Sequence, residues 1–199
     1  MIITEFGRRA ASLIAAGSVA ALLAGCVVSS ETSLVSPDEG VAVLPATFAM
    51  VTYAAETEDG PFIRSNDEPG VFTLRDGGYV IDDDSMTAYF TRMGDPTHYL
   101  ITTVASDGAM YGATTIGADG IMEIRMVFSD DISAAPDGLS ATAIVSDGGI
   151  VVDNRADVDL LFKLIASGTL ATEPLLAYVG DGEAPATLVK DGNWYKAGD

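Results

Sequence analysis

The sequence predicts a mainly β protein: an antiparallel meander of roughly 8–10 short strands that closes as a barrel or a sandwich, with one helix near 155–167. Three observations predict it. Eight aspartates directly precede glycine: Asp59, Asp76, Asp107, Asp119, Asp137, Asp147, Asp181 and Asp191. Asp-Gly between apolar runs signals a hairpin, because a type I′ turn needs positive φ at both central residues. The runs between these pairs are short and rich in β-branched and aromatic residues, the side chains that suit a pleated, half-buried surface. One segment, Val158-Leu161-Phe162-Ile165, instead repeats apolar residues at helical spacing.

Thr47–Ala55 opens the body as an apolar and aromatic run. Val71–Arg75 and Tyr79–Ile81 flank Asp76-Gly77-Gly78 as a hairpin, and Met86–Arg92 follows the acidic run Asp82-Asp83-Asp84. His98–Ala105 and Ala109–Ile116 flank Asp107-Gly108, and Ile121–Phe128 follows Asp119-Gly120. Met122-Glu123-Ile124-Arg125-Met126 alternates strictly, which predicts an apolar face and a Glu/Arg face turned to water. Ala141–Ser146 and Ile150–Val152 flank Asp147-Gly148. The helix comes next. Asp153 or Asn154 caps it, Asp157 and Asp159 suit its positive N-terminus, and Gly168 suits the left-handed position after its end. Leu175–Val179, Leu188–Lys190 and a last pairing at Trp194–Tyr195 complete the strands. Closing or stacking such a sheet buries its apolar face and protects its edges. A lipocalin-like barrel, with its helix late in the chain, would fit this order. Its Gly-x-Trp element near the first strand is absent, the one tryptophan being Trp194, so the likeness is one of geometry.

The chain has 199 residues, with 29 acids against 10 bases and a net charge of -19. Such a surface repels phosphate backbones and argues against nucleic acid as a partner. One cysteine excludes an internal disulfide, and one histidine excludes a multi-histidine metal site within the chain.

Residues 1–25 read as a secretory signal that is removed. Arg8 and Arg9 form a basic start, and Ala10–Leu23 is an uncharged, mostly apolar run of 14 residues. That is shorter than the roughly 20 residues a spanning helix needs. Leu23-Ala24-Gly25-Cys26 follows. This pattern (a branched apolar residue, two small ones, then cysteine) resembles the lipobox of bacterial lipoproteins. The resemblance implies processing at Leu23, Ala24 and Gly25, cleavage before Cys26, and acyl chains such as palmitate on Cys26 as the membrane attachment. Two or more chains anchor a protein stably. In that family Asp after the cysteine favours the inner membrane; Val27 stands here, so the resemblance implies the outer membrane, with the body facing the periplasm.

The mature chain would carry 28 acids against eight bases, a net -20, and should stand off an anionic lipid surface. Residues 26–40 hold four serines, one proline and three acids without sustained period. They read as the acylated N-terminus and a flexible tether. Residues 41–199 form a single acidic β-rich domain.

Motifs of catalysis are missing. No Gly-x-Ser-x-Gly elbow, phosphate loop, His-Glu-x-x-His or Cys-x-x-Cys occurs. No catalytic residue, cofactor or metal is therefore predicted. His98, close to Asp95, is the sole histidine base and reads as a strand-edge residue. Asp82-Asp83-Asp84 and Asp130-Asp131 are the calcium candidates. Neither matches an Asp-x-Asp-x-Asp-Gly loop, and adjacent carboxylates on an extended chain point apart, so both read as solvated turns. Tyr53, Tyr79, Tyr89, Tyr99 and Tyr111 lie on strand candidates, with Phe48, Phe72 and Phe90 nearby. Inside a barrel these would line an apolar cavity with hydroxyl handles.

Three function classes follow, and the sequence favours the first, protein interaction at the envelope, because it demands the fewest special features. A lipid-anchored envelope protein with a non-catalytic binding or structural role, its partner an envelope protein, needs an exposed apolar patch. A lipocalin-like carrier of a small apolar ligand needs a tyrosine-lined cavity. A hydrolase needs His98 or a carboxylate pair at the bottom of a cleft.

Overall fold

A computed structural model describes residues 28–55, 60–65, 69–81, 85–126, 136–146, 149–170, 174–180 and 182–198. Among these residues the strands are β1 (Val28–Ser30), β2 (Thr47–Ala55), β3 (Phe62–Arg64), β4 (Gly70–Arg75), β5 (Gly78–Ile81), β6 (Met86–Arg92), β7 (His98–Ala105), β8 (Gly108–Ile116), β9 (Ile121–Arg125), β10 (Ile144–Ser146), β11 (Gly149–Val151), β12 (Pro174–Tyr178), β13 (Thr187–Asp191) and β14 (Trp194–Ala197). One helix, α1 (Arg155–Ala166), lies between β11 and β12.

Eight strands close a barrel in the order β2-β4-β5-β6-β7-β8-β9-β12 and back to β2, every pairing antiparallel. Closure removes the barrel's edges. Two wings extend from it. β8 also pairs with β1, followed by β11 and β10. β2 also pairs with β3, followed by β13 and β14. The β1–β11 pairing is parallel.

The turns explain the meander. Asp76 and Gly77 take φ of 49° and 80°, and Arg75 pairs with Gly78 around them, as a type I′ turn requires. The other described Asp-Gly pairs do not repeat this geometry. Ala105 pairs with Gly108, so Ser106 and Asp107 form that turn and Gly108 (φ 140°) is already in the strand. At Gly192 (φ 62°) glycine is the first central residue, between the paired Asp191 and Trp194. Asp59, Asp147 and Asp181 lie outside the described residues.

Strand register sorts the side chains. Phe48, Phe72, Tyr79, Phe90, Ile101, Met122, Ile124 and Ala177 face the lumen and form one core. Leu100, Ala109, Tyr111 and Ala113 point outward from β7 and β8 into a second core. There they meet Val158, Leu161, Phe162 and Ile165, the predicted stripe of α1. A third core lies between the outer face of the β2–β12–β9 wall and the wing of β3, β13 and β14; it holds Val51, Tyr53, Leu176, Leu188 and Tyr195. Burial of these faces supplies most of the fold's driving force.

Asn154 caps α1, its side-chain oxygen accepting from the Asp157 amide at 3.0 Å. Asp157 is buried and accepts from the Ser140 amide (2.9 Å), the Ser140 hydroxyl (2.6 Å) and the Asn154 side chain (2.8 Å). Burial alone would raise its carboxyl; these donors outweigh it and hold the group below its ordinary value.

Three expectations are corrected. Residues 28–40 are not a free tether. Val28 pairs within the sheet, Val28 and Val35 are buried, and Ser36 caps a single turn at Pro37–Glu39. Apolar Val28, Leu34 and Val35 have a core to enter, and their burial offsets the ordering of the serine-rich backbone between them. The Glu/Arg face of β9 is not turned to water. Glu123 is buried and ion-paired with Arg125, because it points outward beneath the wing that carries Tyr195. The strand predicted from Ala141 begins at Ile144; Ser140 and Thr142 are drawn instead into hydrogen bonds with Asp157 and Asp153 at the start of α1. The predicted extension of β9 to Phe128 falls on residues outside the described set.

Candidate functional site

The lumen holds a cavity of about 50 Å³, lined by Phe48, Met50, Phe72, Tyr79, Met86, Ala88, Phe90, Ile101, Thr103, Met122, Ile124, Met126 and Leu175. Alternation puts these residues there. Met86, Ala88 and Phe90 are every second residue of β6, and Met122, Ile124 and Met126 repeat the pattern along β9. Among the described residues the lining includes two hydroxyl side chains, Thr103 and Tyr79, and no charged one.

Its two halves differ. Phe48 stacks on Phe72 with ring centres 5.3 Å apart and planes 7° apart. Tyr79 meets Phe48 and Phe90 edge-on, at 5.4 and 5.6 Å. These are favoured arrangements for ring quadrupoles. Val41, Val43 and Leu44 cross this end of the barrel and pack on the same core. The Tyr79 hydroxyl accepts from the Leu44 amide at 2.8 Å and donates to the Leu44 carbonyl at 2.7 Å. Burial raises the Tyr79 hydroxyl pKa, against the bonds to the Leu44 and Val43 backbone. The other half is lined by Met50, Met86 and Met126. Met50 pairs with Gly70 at the start of β4, Met86 begins β6 and Met126 follows β9. Thioether chains are unbranched and adapt to irregular shapes.

The five tyrosines do not converge. Tyr79 and Tyr99 belong to the lumen core, but the Tyr99 hydroxyl donates to the Pro96 carbonyl at 2.6 Å and so closes its own loop. Tyr111 points outward; its hydroxyl bonds the Ser30 hydroxyl at 2.7 Å and accepts from the Leu34 amide at 2.8 Å. Tyr53 points outward and donates to the Pro185 carbonyl at 2.7 Å. Tyr89 is on the outer face of β6, its ring against Gly78 and Gly40, where a Cβ at Gly78 would lie 2.7 Å from the ring. The cavity expected from Tyr53, Tyr89, Tyr99 and Tyr111 is therefore corrected: only Tyr79 lines it. Period-2 alternation is the reason. Tyr53, Tyr89 and Tyr111 each sit one or three residues from a lumen-facing neighbour, Met50, Phe90 and Gly112, and so take the opposite face. The same parity points to Met50, Met86, Met122 and Met126, which an aromatic-centred reading passes over.

His98 lies at the barrel's aromatic end, half exposed. Its Nδ1 is 3.3 Å from Asp95 Oδ1 and 3.2 Å from the Thr97 hydroxyl. It does not reach the cavity lining. The Asp95 carboxyl is held down at about 2, chiefly by the Thr97 hydroxyl, then by the Thr97 amide and His98. Among the described residues no group of three His, Cys, Asp or Glu could hold a metal. Asp82-Asp83-Asp84 and Asp130-Asp131 lie outside the described residues, as do Leu23, Ala24, Gly25 and Cys26. Among the described residues no helix is long and apolar enough to cross a membrane.

Searches of family models, of curated proteins and of solved structures returned no match.

Proposed function

We propose that the chain is a lipid-anchored cell-envelope protein whose barrel binds a small apolar ligand without catalysis. One observation carries the binding part: a cavity inside a closed barrel whose lining is almost wholly apolar, rigid and aromatic in one half and methionine-rich in the other. An enclosed space lined predominantly by apolar and aromatic side chains is the larger part of what makes a ligand site. The size limits the guest. A cavity of about 50 Å³ exceeds the space one water needs, yet is far below the roughly 300 Å³ of a drug-sized pocket. A short alkyl segment or a small hydrophobic molecule fits; anything larger must displace methionines.

The anchor part rests on Leu23-Ala24-Gly25-Cys26 and its resemblance to the lipobox, which supports acyl chains on Cys26, a body facing the periplasm and outer-membrane sorting through Val27.

Native mass spectrometry tests the binding. Residues 27–199 are exported behind a cleavable signal that adds no lipid. The expected result is an extra mass released by organic solvent and lost in Ala88→Leu, which places three more carbons in the cavity. A bare polypeptide mass, with no shift of melting temperature on titration with short alkanols, sinks the binding reading. Cys26→Ala should abolish labelling by radioactive palmitate; labelling that persists sinks the anchor.

A further inference from the structure

We infer that the free face of the β10–β11–β1 wing docks on the bilayer that holds the acyl chains, an inference that rests on acylation at Cys26. Ser29 of β1 pairs with Val151 of β11, and Val151 with Ile144 of β10. Cross-strand partners share a face of the sheet, so these three side chains form a row. The opposite face carries Val28, Val145 and Ile150 and is covered by α1. The free face is apolar where it should not be: Ile144 is 62% exposed and Val151 39%. They are two of the three exposed large hydrophobic residues among those described, and they stand opposite each other.

Two further observations select lipid as the occupant. The first is charge. In a chain of net -19, none of the nine residues of β1, β10 and β11 is charged, so these three strands add no repulsion of their own toward a membrane surface. The second is chain length. A single residue, Val27, separates Cys26 from β1. Two residues span at most about 7 Å, and the row from Ser29 to Ile144 crosses two strand spacings, about 10 Å. A sulfur whose acyl chains lie in the membrane therefore holds Val151 and Ile144 close to the headgroups, because β1 is built into the sheet and leaves no slack. The row also continues inward. Ser29 pairs with Met110, and Met110 with Thr103 of the cavity lining. The face turned to lipid is the face that becomes the lumen wall, so the barrel's apolar guest would come from the membrane side.

The test uses the acylated full-length protein. Its one cysteine carries the thioether, so an introduced cysteine is the sole free thiol. Ile144→Cys and Val151→Cys are labelled with an environment-sensitive fluorophore. Ile63→Cys, in β3 at the far end of the sheet, is the control for an exposed apolar site. Each is reconstituted into phosphatidylcholine vesicles containing a phosphatidylcholine with a nitroxide on its acyl chain. The expected result is several-fold stronger lipid quenching at 144 and 151 than at 63, with matching protection from aqueous iodide. Vesicle-bound protein quenched equally at all three positions overturns the docking and leaves the anchor standing. Protein that fails to float with vesicles and shows no acyl mass on Cys26 overturns both. Two labelled positions on exposed sites guard against one variant that misfolds.

Discussion

At one end of the lumen Phe48, Phe72, Tyr79 and Phe90 interlock, and the Tyr79 hydroxyl ties both polar groups of the Leu44 peptide. At the other end Met50, Met86 and Met126 occupy the equivalent inward positions. The same eight strands and the same alternation make both halves, so the difference lies in side-chain stiffness. Rings have few rotamers and fixed edge-to-face geometry; methionine has three rotatable bonds and a polarisable sulfur. The aromatic half should specify the fold, and the methionine half should accommodate what enters it.

The strongest way to break this comparison is to truncate one ring. Tyr79→Ala should destabilise by about 3–5 kcal/mol, because it opens a void against Phe48 and Phe90 and frees the Leu44 peptide. Denaturant unfolding would read it. A loss under about 1 kcal/mol would mean that the aromatic half is as plastic as the other.

Tyr79→Phe isolates the strap. The ring packing remains, but the Leu44 amide and carbonyl lose their partner. Leaving buried polar groups unsatisfied costs about 1–3 kcal/mol. Amide exchange at Leu44 should accelerate with little change at Val41, whose amide still donates to the Phe90 carbonyl at 2.8 Å. Equal acceleration at both would show that the end opens as one unit.

The methionine half calls for the opposite result. Met50→Leu with Met86→Leu keeps volume and loses flexibility, so stability should change by less than about 1.5 kcal/mol. The range of alkyl lengths bound, read by native mass spectrometry, should narrow. An unaltered range would locate the adaptability elsewhere.

The barrel was more legible in the sequence than its site. Hairpins at Asp76-Gly77 and Asp107-Gly108, the stripe of α1 and the bounds of β2, β6 and β7 follow from local chemistry: turn residues, period and caps. Burial of Tyr53 and Tyr111 on the outer face was hidden for another reason. A strand read alone shows two faces, and only the wings and α1 decide that both are covered. Glu123 shows the same limit, since its neighbours Tyr195 and Arg125 come from 72 residues away and from its own strand. Residues 28–40 escaped because a three-residue strand flanked by serines carries no period; its partners, Met110 and Ile150, are distant in sequence.

The smallest effect belongs to the rim of the aromatic half, at the loop that carries Asp95 to His98. Asp95 has a folded value near 2 against an ordinary 3.8, held there first by the Thr97 hydroxyl and then by the Thr97 amide and His98. A depressed carboxylate contributes its stabilisation fully above the unfolded value and loses it as pH falls through the folded one. The stabilisation these bonds supply should therefore be complete above about pH 4 and be lost between there and pH 2, the bonds themselves breaking around pH 2, while Asp95, being exposed, adds little to global unfolding. A carboxyl carbon titration of Asp95 should show a midpoint near 2. Thr97→Val removes the hydroxyl and should move that midpoint up toward 3.8 without changing the Tyr79 clamp. A midpoint already at the ordinary value in the parent protein would mean that the rim lacks these bonds in solution, and the contrast between a stiff and a soft half would then stop at the rings themselves.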